Sequence, residues 1–513
     1  MSYSIRTKTK PYKHQQQDLL KTLHLPVYAH YWEQGLGKSK VIIDLACNLY
    51  IRKKIQAVLI IAPNNVHRNW VDQEIPVHAS IDFAAIAWDG SKTTKKYKRK
   101  LQTTFSKSAL VFFTMNYEAL PTKRGYAIAE YFIDRFKCLF VLDESHRIKN
   151  QSAKRTKKLL KLATKPNVVY KRILTGTPIT GNPLDLYNQF AFLDKDILWF
   201  NSFHSFKHHY AEIEQIRTYK KTTKHPNGWI FEQIKSFKNM DELKLKIKPY
   251  VTRKTKDECL DLPDKIYQRI PVDLTLKQRK VYNDLEKNLS LEFDSNPCEI
   301  RREITNLLTG IVTCKIPLTK ILRLRQIISN FVMTDDGETI TIDDAYNPKL
   351  EALLNDLKDS FEPFNNKIII WASFKYEIKL ITENLQKLYG TKIVASYYGE
   401  TKKEDRSTIR ARFQDLDPTK PGKVHRPSQL RIFVSNPASG GIGVDLTRAS
   451  INYYFSNSYD AEHRWQSEDR SHRIGQKNTV IYKDIVAVDT VDEEVHKVLI
   501  EKARIAHDII DKK

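Results

Sequence analysis

Short runs of β-branched and aromatic residues recur along this chain between stretches of helical character. Val27–Trp32, Ala57–Ala62, Ala109–Thr114, Cys138–Asp143 and Arg172–Thr175 fall in the first part. Lys367–Ala372, Lys392–Ser396, Leu430–Ser435, Ile451–Phe455 and Val480–Val486 fall in the last. Continuous apolar runs of this length fit strands buried on both faces, the condition of a parallel sheet covered by helices. Two such series predict an α/β protein built from two parallel-sheet lobes.

Between them, from about Asp194 to Asn347, strand-like runs largely vanish and the pattern predicts helices. Within Gln215–Lys256 there are twelve Lys/Arg against three Asp/Glu. Such a run fits a solvated helical face or a surface turned to nucleic acid. The expected organisation is a first lobe over 1–195, a helical, basic insertion and linker over 196–346, and a second lobe with a C-terminal helix over 347–513. Ser91–Lys100, six basic residues in ten, reads as a mobile surface loop.

Composition narrows the class. A chain of 513 residues has a prior of about three domains. Its 41% apolar and 28% charged content excludes wholesale disorder. Lys+Arg 85 against Asp+Glu 60 leaves +25, which points to polyanionic partners, nucleic acid before anionic membrane. The five cysteines (Cys47, Cys138, Cys259, Cys298 and Cys314) contain no C-x-x-C pair, so free thiols in a reducing interior are expected. No secretory signal and no run of about 18 apolar residues is present, so a cytosol-type protein without a membrane partner is expected.

Three local features carry chemistry. Glu33-Gln-Gly-Leu-Gly-Lys-Ser39 lies between the apolar run Val27–Trp32 and the helical run Lys40–Tyr50. A glycine turn that opens a helix offers backbone N–H groups and a positive helix end to phosphates. Gly35 and Gly37 allow close approach around Leu36, Lys38 can reach the β- and γ-phosphates, and Ser39 can hold Mg²⁺. Trp32 stands where the strict phosphate-loop pattern has its first glycine, and alone the turn also fits structural glycines. Leu139-Phe-Val-Leu-Asp-Glu-Ser-His146 ends a buried strand in two acids, where open α/β sheets bind ligands. Asp143 can hold the Mg²⁺ water shell and Glu144 can orient or deprotonate a water; the bland reading is a helix cap. In Gln466-Ser-Glu-Asp-Arg-Ser-His-Arg-Ile-Gly-Gln476, Arg470 and Arg473 are three apart and would share a helix face. Two guanidiniums can neutralise charge on a γ-phosphoryl group, although a helix surface paired with Glu468 and Asp469 is the plainer alternative.

In this chain order the features resemble helicase superfamily 2, and specifically the Swi/Snf-type ATPases. Lys10-Pro-Tyr-Lys-His-Gln15 looks like an adenine-reading Q-motif, Ala62-Pro63 with Asn69-Trp70 like motif Ia, and Asn116-Tyr117-Glu118 like motif Ib. Asp143-Glu-Ser-His146 resembles a DEAH-type motif II, and Leu174-Thr-Gly-Thr-Pro-Ile179 resembles motif III. Thr252-Arg-Lys-Thr-Lys256 with Leu262-Pro263 is similar to the segment between lobes, and Ile370-Trp-Ala-Ser-Phe374 to motif IV. Ser439-Gly-Gly-Ile-Gly-Val-Asp-Leu-Thr447 resembles motif V, His472-Arg-Ile-Gly-Gln476 the end of motif VI, and Thr490-Val-Asp-Glu-Glu494 the start of a bracing helix.

The resemblance implies two RecA-like lobes with ATP in the cleft between them, and Mg²⁺ as its companion. Lys38, Asp143, Glu144, Gln466, Arg470 and Arg473 would be catalytic. Gln15, Gly35, Leu36, Gly37, Lys38, Ser39, Gly443 and Asp445 would bind the nucleotide, with Ser39 and Asp143 on the metal. Pro63, Asn64, Asn116, Tyr117, Thr177, Ser373, Phe374, Gly440 and Gly441 would face the DNA backbone or couple it to the cleft. Some positions depart from the pattern. Trp32 replaces a usual acid, Gln34 a frequent Met, and Asp445 a common Asn. The stretch Ser456–Ala461 is closer to compact bacterial and phage members than to chromatin remodellers.

The implied function is a monomeric, DNA-dependent ATPase that translocates on duplex DNA, in a prokaryotic or phage-infected cytoplasm or, for a eukaryotic source, the nucleus. Rivals are a strand-separating or fork-remodelling helicase of the same superfamily and a catalytically silent DNA-binding scaffold. Intact Lys38, Glu144 and Arg473 argue against the last.

Overall fold

The first series of apolar runs builds one parallel sheet. The computed structural model describes residues 5–64, 66–92, 94–180, 182–218, 229–291, 317–334, 337–361, 366–416, 428–440 and 445–510. The strands are β1 (Val27–Trp32), β2 (Ala57–Ala62), β3 (Phe83–Ala87), β4 (Leu110–Asn116), β5 (Cys138–Asp143) and β6 (Val168–Leu174), followed by a hairpin of β7 (Ala211–Thr218) and β8 (Trp229–Phe237), and then β9 (Val251–Lys254). The sheet runs β3-β4-β2-β5-β6-β1-β9, every pair parallel.

Alternation along the central strands feeds two cores. Leu59, Ile61, Phe113, Phe140 and Leu142 pack on one face with Phe132 and Phe190 from covering helices. Val58, Ile60, Phe112, Leu139 and Val141 pack on the other with Ile42, Leu45 and Leu49 of the helix Lys38–Ile51. Because successive strand side chains point to opposite faces, an uninterrupted apolar run is needed to cover both.

A second parallel sheet contains β10 (Lys265–Val272), then, after a short antiparallel pair of β11 (Phe331–Met333) and β12 (Thr339–Thr341), β13 (Lys367–Trp371), β14 (Val394–Tyr397), β15 (Ile432–Ser435), β16 (Ala449–Tyr454) and β17 (Val480–Ala487). Its order is β10-β17-β16-β13-β15-β14. Ile368, Ile370, Val434 and Tyr453 fill one face, and Ile369, Trp371, Phe433 and Tyr454 the other. After the last strand, Val495 and Leu499 of the helix Val491–Ile510 pack with Ala461. Two parallel-sheet units therefore stand as expected, and the boundary between them falls after Asp261.

The helical insertion expected over 196–346 is divided between the two units and is not all helix. Its first part holds the hairpin, with Ile213 opposite Ile234 and Ile216 opposite Phe231. Neither strand shows an uninterrupted alternation, since Ile213 and Ile216 are three apart and the register shifts between Glu212 and Ile213, so pairing rather than pattern makes them strands. Strand β9 extends the first sheet beside β1, from Ala29–Val251 to Trp32–Lys254. Strand β10 extends the second along the whole of β17. The stretch around Ser91–Lys100 is also corrected. The helix Lys95–Phe105 begins there, capped by Thr94, and buries Tyr97, Leu101 and Phe105 at a spacing of four. Among the described residues no helix is long and apolar enough to cross a membrane.

Candidate functional site

The C-terminal ends of β1, β2, β4, β5 and β6 carry the singled-out residues of the first unit, at the sheet edge where open α/β folds bind ligands. After β1, Gly35 (φ 86°) and Gly37 (φ 80°) take left-handed conformations that turn the chain into the helix Lys38–Ile51. Glycine is required at 37 for a second reason. A Cβ there would lie 2.3 Å from Nε2 of Gln15. Gln15 accepts from the Tyr12 amide at 3.0 Å and donates to the Leu36 carbonyl at 3.0 Å, and His14 Nε2 also meets that carbonyl at 3.0 Å. The helix Lys13–Thr22 is thereby fastened to the glycine turn. Lys38 donates to the carbonyls of Trp32 (2.7 Å) and Glu33 (3.2 Å), and Ser39 lies in the helix's first turn.

Trp32, the departure from the usual pattern, is fully buried with Leu36 and Val41 and meets the rings of His14 and His30 edge-on. It replaces backbone freedom at the start of the turn with a packed anchor, and the turn still forms.

At the end of β5, Asp143 is buried while Glu144 adopts φ 54°, a left-handed conformation unusual for a side chain with a Cβ. Burial pushes the Asp143 carboxyl up to about 7. The Glu144 charge adds to that push, while the Trp70 hydrogen bond and Lys38 oppose it. Oδ2 of Asp143 accepts from the Trp70 indole at 2.9 Å, and its backbone carbonyl accepts from the Tyr117 hydroxyl at 2.8 Å. Glu144 accepts from Thr175 Oγ1 at 3.2 Å and, at 3.5 Å, from the amide of Gln34. Thr175 Oγ1 also accepts from the Thr177 amide at 3.0 Å and meets His146 Nδ1 at 2.9 Å. With the Thr175 hydroxyl donating to Glu144, His146 Nδ1 is the nitrogen that carries the proton.

Trp70, Thr175, His146 and Arg253 were not singled out from sequence as site residues. Arg253, on β9, donates to the carbonyls of Tyr31 (2.9 Å) and Gly176 (3.4 Å) and pairs with Glu33 at 3.5 Å, tying β1 to the turn after β6. Trp70 and Arg253 lie within segments that resemble family motifs, but the sequence signal for their partners goes no further than the need of a buried indole or guanidinium for hydrogen bonds.

The expected DNA-facing residues separate. Pro63 is buried and Asn64 exposed at the end of β2. Asn116, half-buried at the end of β4, donates to Glu118 at 3.2 Å. Tyr117 is fully buried, with its hydroxyl spent on Asp143, so its side chain is not presented to a nucleic acid. The Thr177 hydroxyl is likewise buried.

In the second unit, Ser373 and Phe374 follow β13. The Ser373 amide donates to Ser456 Oγ at 2.8 Å and its hydroxyl to the Ser456 carbonyl at 3.1 Å. Phe374 has the Arg325 guanidinium 5.1 Å from its ring centre. Gly440 closes the short helix Pro437–Gly440, whereas Gly441 and Gly443 lie outside the described residues. Asp445 is exposed, and its Oδ1 accepts from the Thr447 amide in its own turn (3.1 Å) and from the side-chain amide of Gln414, at the end of the helix Lys403–Phe413 (3.2 Å). Gln466 is buried and donates to Glu462 at 2.7 Å.

The expected pairing of Arg470 and Arg473 on one helix face is corrected. The helix Ala461–Ser471 stops before Arg473, which lies in the turn leading to Gly475 (φ 101°). The Gln476 amide holds that turn, donating to the carbonyls of Thr447, Ala449 and Ser471 at 2.9–3.1 Å, and the Leu446 amide donates to the Arg470 carbonyl at 3.0 Å. His472 Nε2 meets the Pro263 carbonyl at 2.8 Å. Arg464 forms a buried salt-bridged cluster on this helix, with Glu468 at 2.7 Å and with Asp484.

Comparison with known proteins shows the family. The profile of the SNF2-related domain matches residues 31–331, more than half of the chain. An uncharacterized ATP-dependent helicase of Mycoplasma genitalium is 26% identical over 476 residues, covering 92% of this chain and 39% of that protein. The transcription regulatory protein SNF2 of Saccharomyces cerevisiae is 24% identical, covering 92% and 25%. The chain thus spans well under half the length of either relative. Among solved structures, the SWI2/SNF2 ATPase core of Sulfolobus solfataricus in complex with dsDNA is 23% identical, with a TM-score of 0.38 over 99% of this chain and 95% of that one. Given the extent of the profile match, this chain belongs to the SNF2-related domain family.

Proposed function

We propose that this chain is a DNA-dependent ATPase that translocates on duplex DNA and remodels DNA or protein–DNA complexes. The observation that carries the reading is the convergence of Lys38, Asp143, Glu144 and Thr175 at one sheet edge, with Trp70 and Tyr117 hydrogen-bonded into the acidic pair.

In this reading the amides of the Gly35–Gly37 turn and the start of the following helix cradle the phosphates. Lys38 leaves the carbonyls of Trp32 and Glu33 for the β- and γ-phosphoryl oxygens. Gln15, fixed against Leu36 and Gly37, borders the base side. Glu144, steered by Thr175, orients the attacking water and takes its proton. Ser39 and Asp143 present hard oxygen donors, and with Asp143 Oδ2 occupied by Trp70 its Oδ1 is the oxygen left for Mg²⁺. Mg²⁺, when bound, would neutralise charge on the phosphates. Gln466, Arg470 and Arg473 supply charge and polarity to the same nucleotide from the second unit, so that hydrolysis is coupled to closure of the two units.

The net charge of +25 supports a polyanionic track held through its backbone, which carries no sequence information. Such a track places the protein wherever duplex DNA lies, in a prokaryotic or phage-infected cytoplasm or in a nucleus.

Steady-state ATP turnover with no nucleic acid, single-stranded DNA, duplex DNA and duplex RNA tests the reading. Strong stimulation by duplex DNA, abolished in Lys38→Ala and Glu144→Gln, is expected, with displacement of a triplex strand but no unwinding of a fork. Preference for single strands or forks overturns translocation in favour of strand separation. No turnover on any nucleic acid overturns the enzymatic reading.

A further inference from the structure

We propose that His204, His208 and Glu232 form a site for a divalent transition-metal ion, Zn²⁺ by preference, which fastens the helix Phe203–Tyr210 to strand β8. The proposal is independent of the ATPase reading.

The helix sequence Phe-His-Ser-Phe-Lys-His-His-Tyr explains the geometry. Phe206 and Tyr210, four apart, are buried and fix the rotation of the helix on its unit. His204 and His208, also four apart, therefore share an exposed face. Their ring centres are 4.2 Å apart. Glu232, on β8, reaches across to the same face, with Oε1 3.8 Å from His208 Nε2. One ligand atom from each of the three residues lies within 4.8 Å of the others. Tetrahedral zinc, with bonds of about 2.0–2.1 Å, needs its ligand atoms about 3.3 Å apart. Rotamer adjustment of three exposed side chains closes that difference.

Lys207 already donates to the other Glu232 oxygen, Oε2, at 2.6 Å. That bond orients the carboxylate and leaves Oε1 towards the histidines, as a supporting hydrogen bond does for a metal-bound carboxylate. Two imidazoles and one carboxylate suit Zn²⁺ and its neighbours Co²⁺ and Ni²⁺ rather than Mg²⁺ or Ca²⁺, and water would take the fourth position.

The test uses the full chain, free of any histidine tag and stripped with a chelator. Titration with Co²⁺ is followed by visible absorption, and with Zn²⁺ by calorimetry. One equivalent with a tetrahedral Co²⁺ spectrum is expected. His204→Ala, His208→Ala and Glu232→Gln should each weaken uptake by about tenfold or more, and His209→Ala, a neighbour that faces Glu242 instead, should not. Zn²⁺ should raise the melting temperature of the parent chain and not of the His204→Ala/His208→Ala variant. Absence of saturable uptake, or uptake and thermal shift that survive in the double variant, overturns the site.

Discussion

The indole nitrogen of Trp70 donates to Oδ2 of Asp143 at 2.9 Å, across 73 residues of sequence. Trp70 opens a π-helical turn, Trp70–Glu74, that follows the short helix Val66–Asn69. Such turns insert an extra residue and re-aim side chains, and they concentrate at functional sites. The segment that resembles a DNA-contacting motif thus holds one oxygen of the acid expected to serve Mg²⁺. Trp70→Phe keeps an aromatic ring but removes the donor. It should cost about 1–3 kcal/mol of stability in chemical denaturation. If the bond also positions Asp143, kcat for ATP should fall and the Mg²⁺ concentration for half-maximal rate should rise. Unchanged Mg²⁺ dependence would make the bond a packing feature only.

Thr175 joins the turn after β6 to both Glu144 and His146 through one hydroxyl. Thr175→Val preserves shape and deletes all three of its side-chain hydrogen bonds. Glu144 then loses its steering group, and kcat should fall by about tenfold to a hundredfold with little change in KM for ATP. Thr175→Ser should restore most of the rate, which distinguishes loss of the hydroxyl from loss of packing.

His78 supplies a pH dependence. Half-buried and close to Lys40 and Lys8, it meets Thr9 Oγ1 at 2.7 Å, and burial first, then the two lysines, lower its pKa to about 4. The unfolded chain takes up this proton near pH 6.5 and the native one does not until about pH 4. Native stability should therefore be complete above pH 6.5, decline as pH falls from 6.5 to 4, and gain no further loss from this group below that. Its half exposure limits the loss to about 1–2 kcal/mol. Urea denaturation of parent and His78→Asn chains at pH 7.5 and 4.5 checks this, since the variant should lack that part of the difference.

Arg464 and Asp484 form a buried pair in the second unit, with the guanidinium also 3.5 Å from the centre of the Tyr454 ring. Burial alone would raise the Asp484 carboxyl, but Arg464 and the Asn457 hydrogen bond hold it below the usual range. Arg464→Met strands that carboxylate and should destabilise the second unit by about 3–5 kcal/mol, read as a lowered melting transition. Adding Asp484→Leu should recover much of the loss, because the cost lies in the unpaired buried charge rather than in the missing attraction.

The central strands were legible in the sequence because burial on both faces demands uninterrupted apolar runs, and β2 and β5 lie where those runs placed them. The glycine turn before Lys38 and the Asp143–Glu144 strand end were legible because their conformation and chemistry need those residue types locally. Edge and hairpin strands were not. Val251–Lys254 and Lys265–Val272 have mixed polarity, and only pairing with β1 and β17 makes them strands. Nor was the end of the helix at Ser471, which separates Arg473 from the face that carries Arg470. Trp70 on Asp143, Thr175 on Glu144 and Arg253 across β1 are long-range hydrogen bonds. Sequence determines which side chains must be buried and which backbone conformations are open to them. Which buried donor meets which acceptor depends on strand order and helix end-points, and only the tertiary structure decides those.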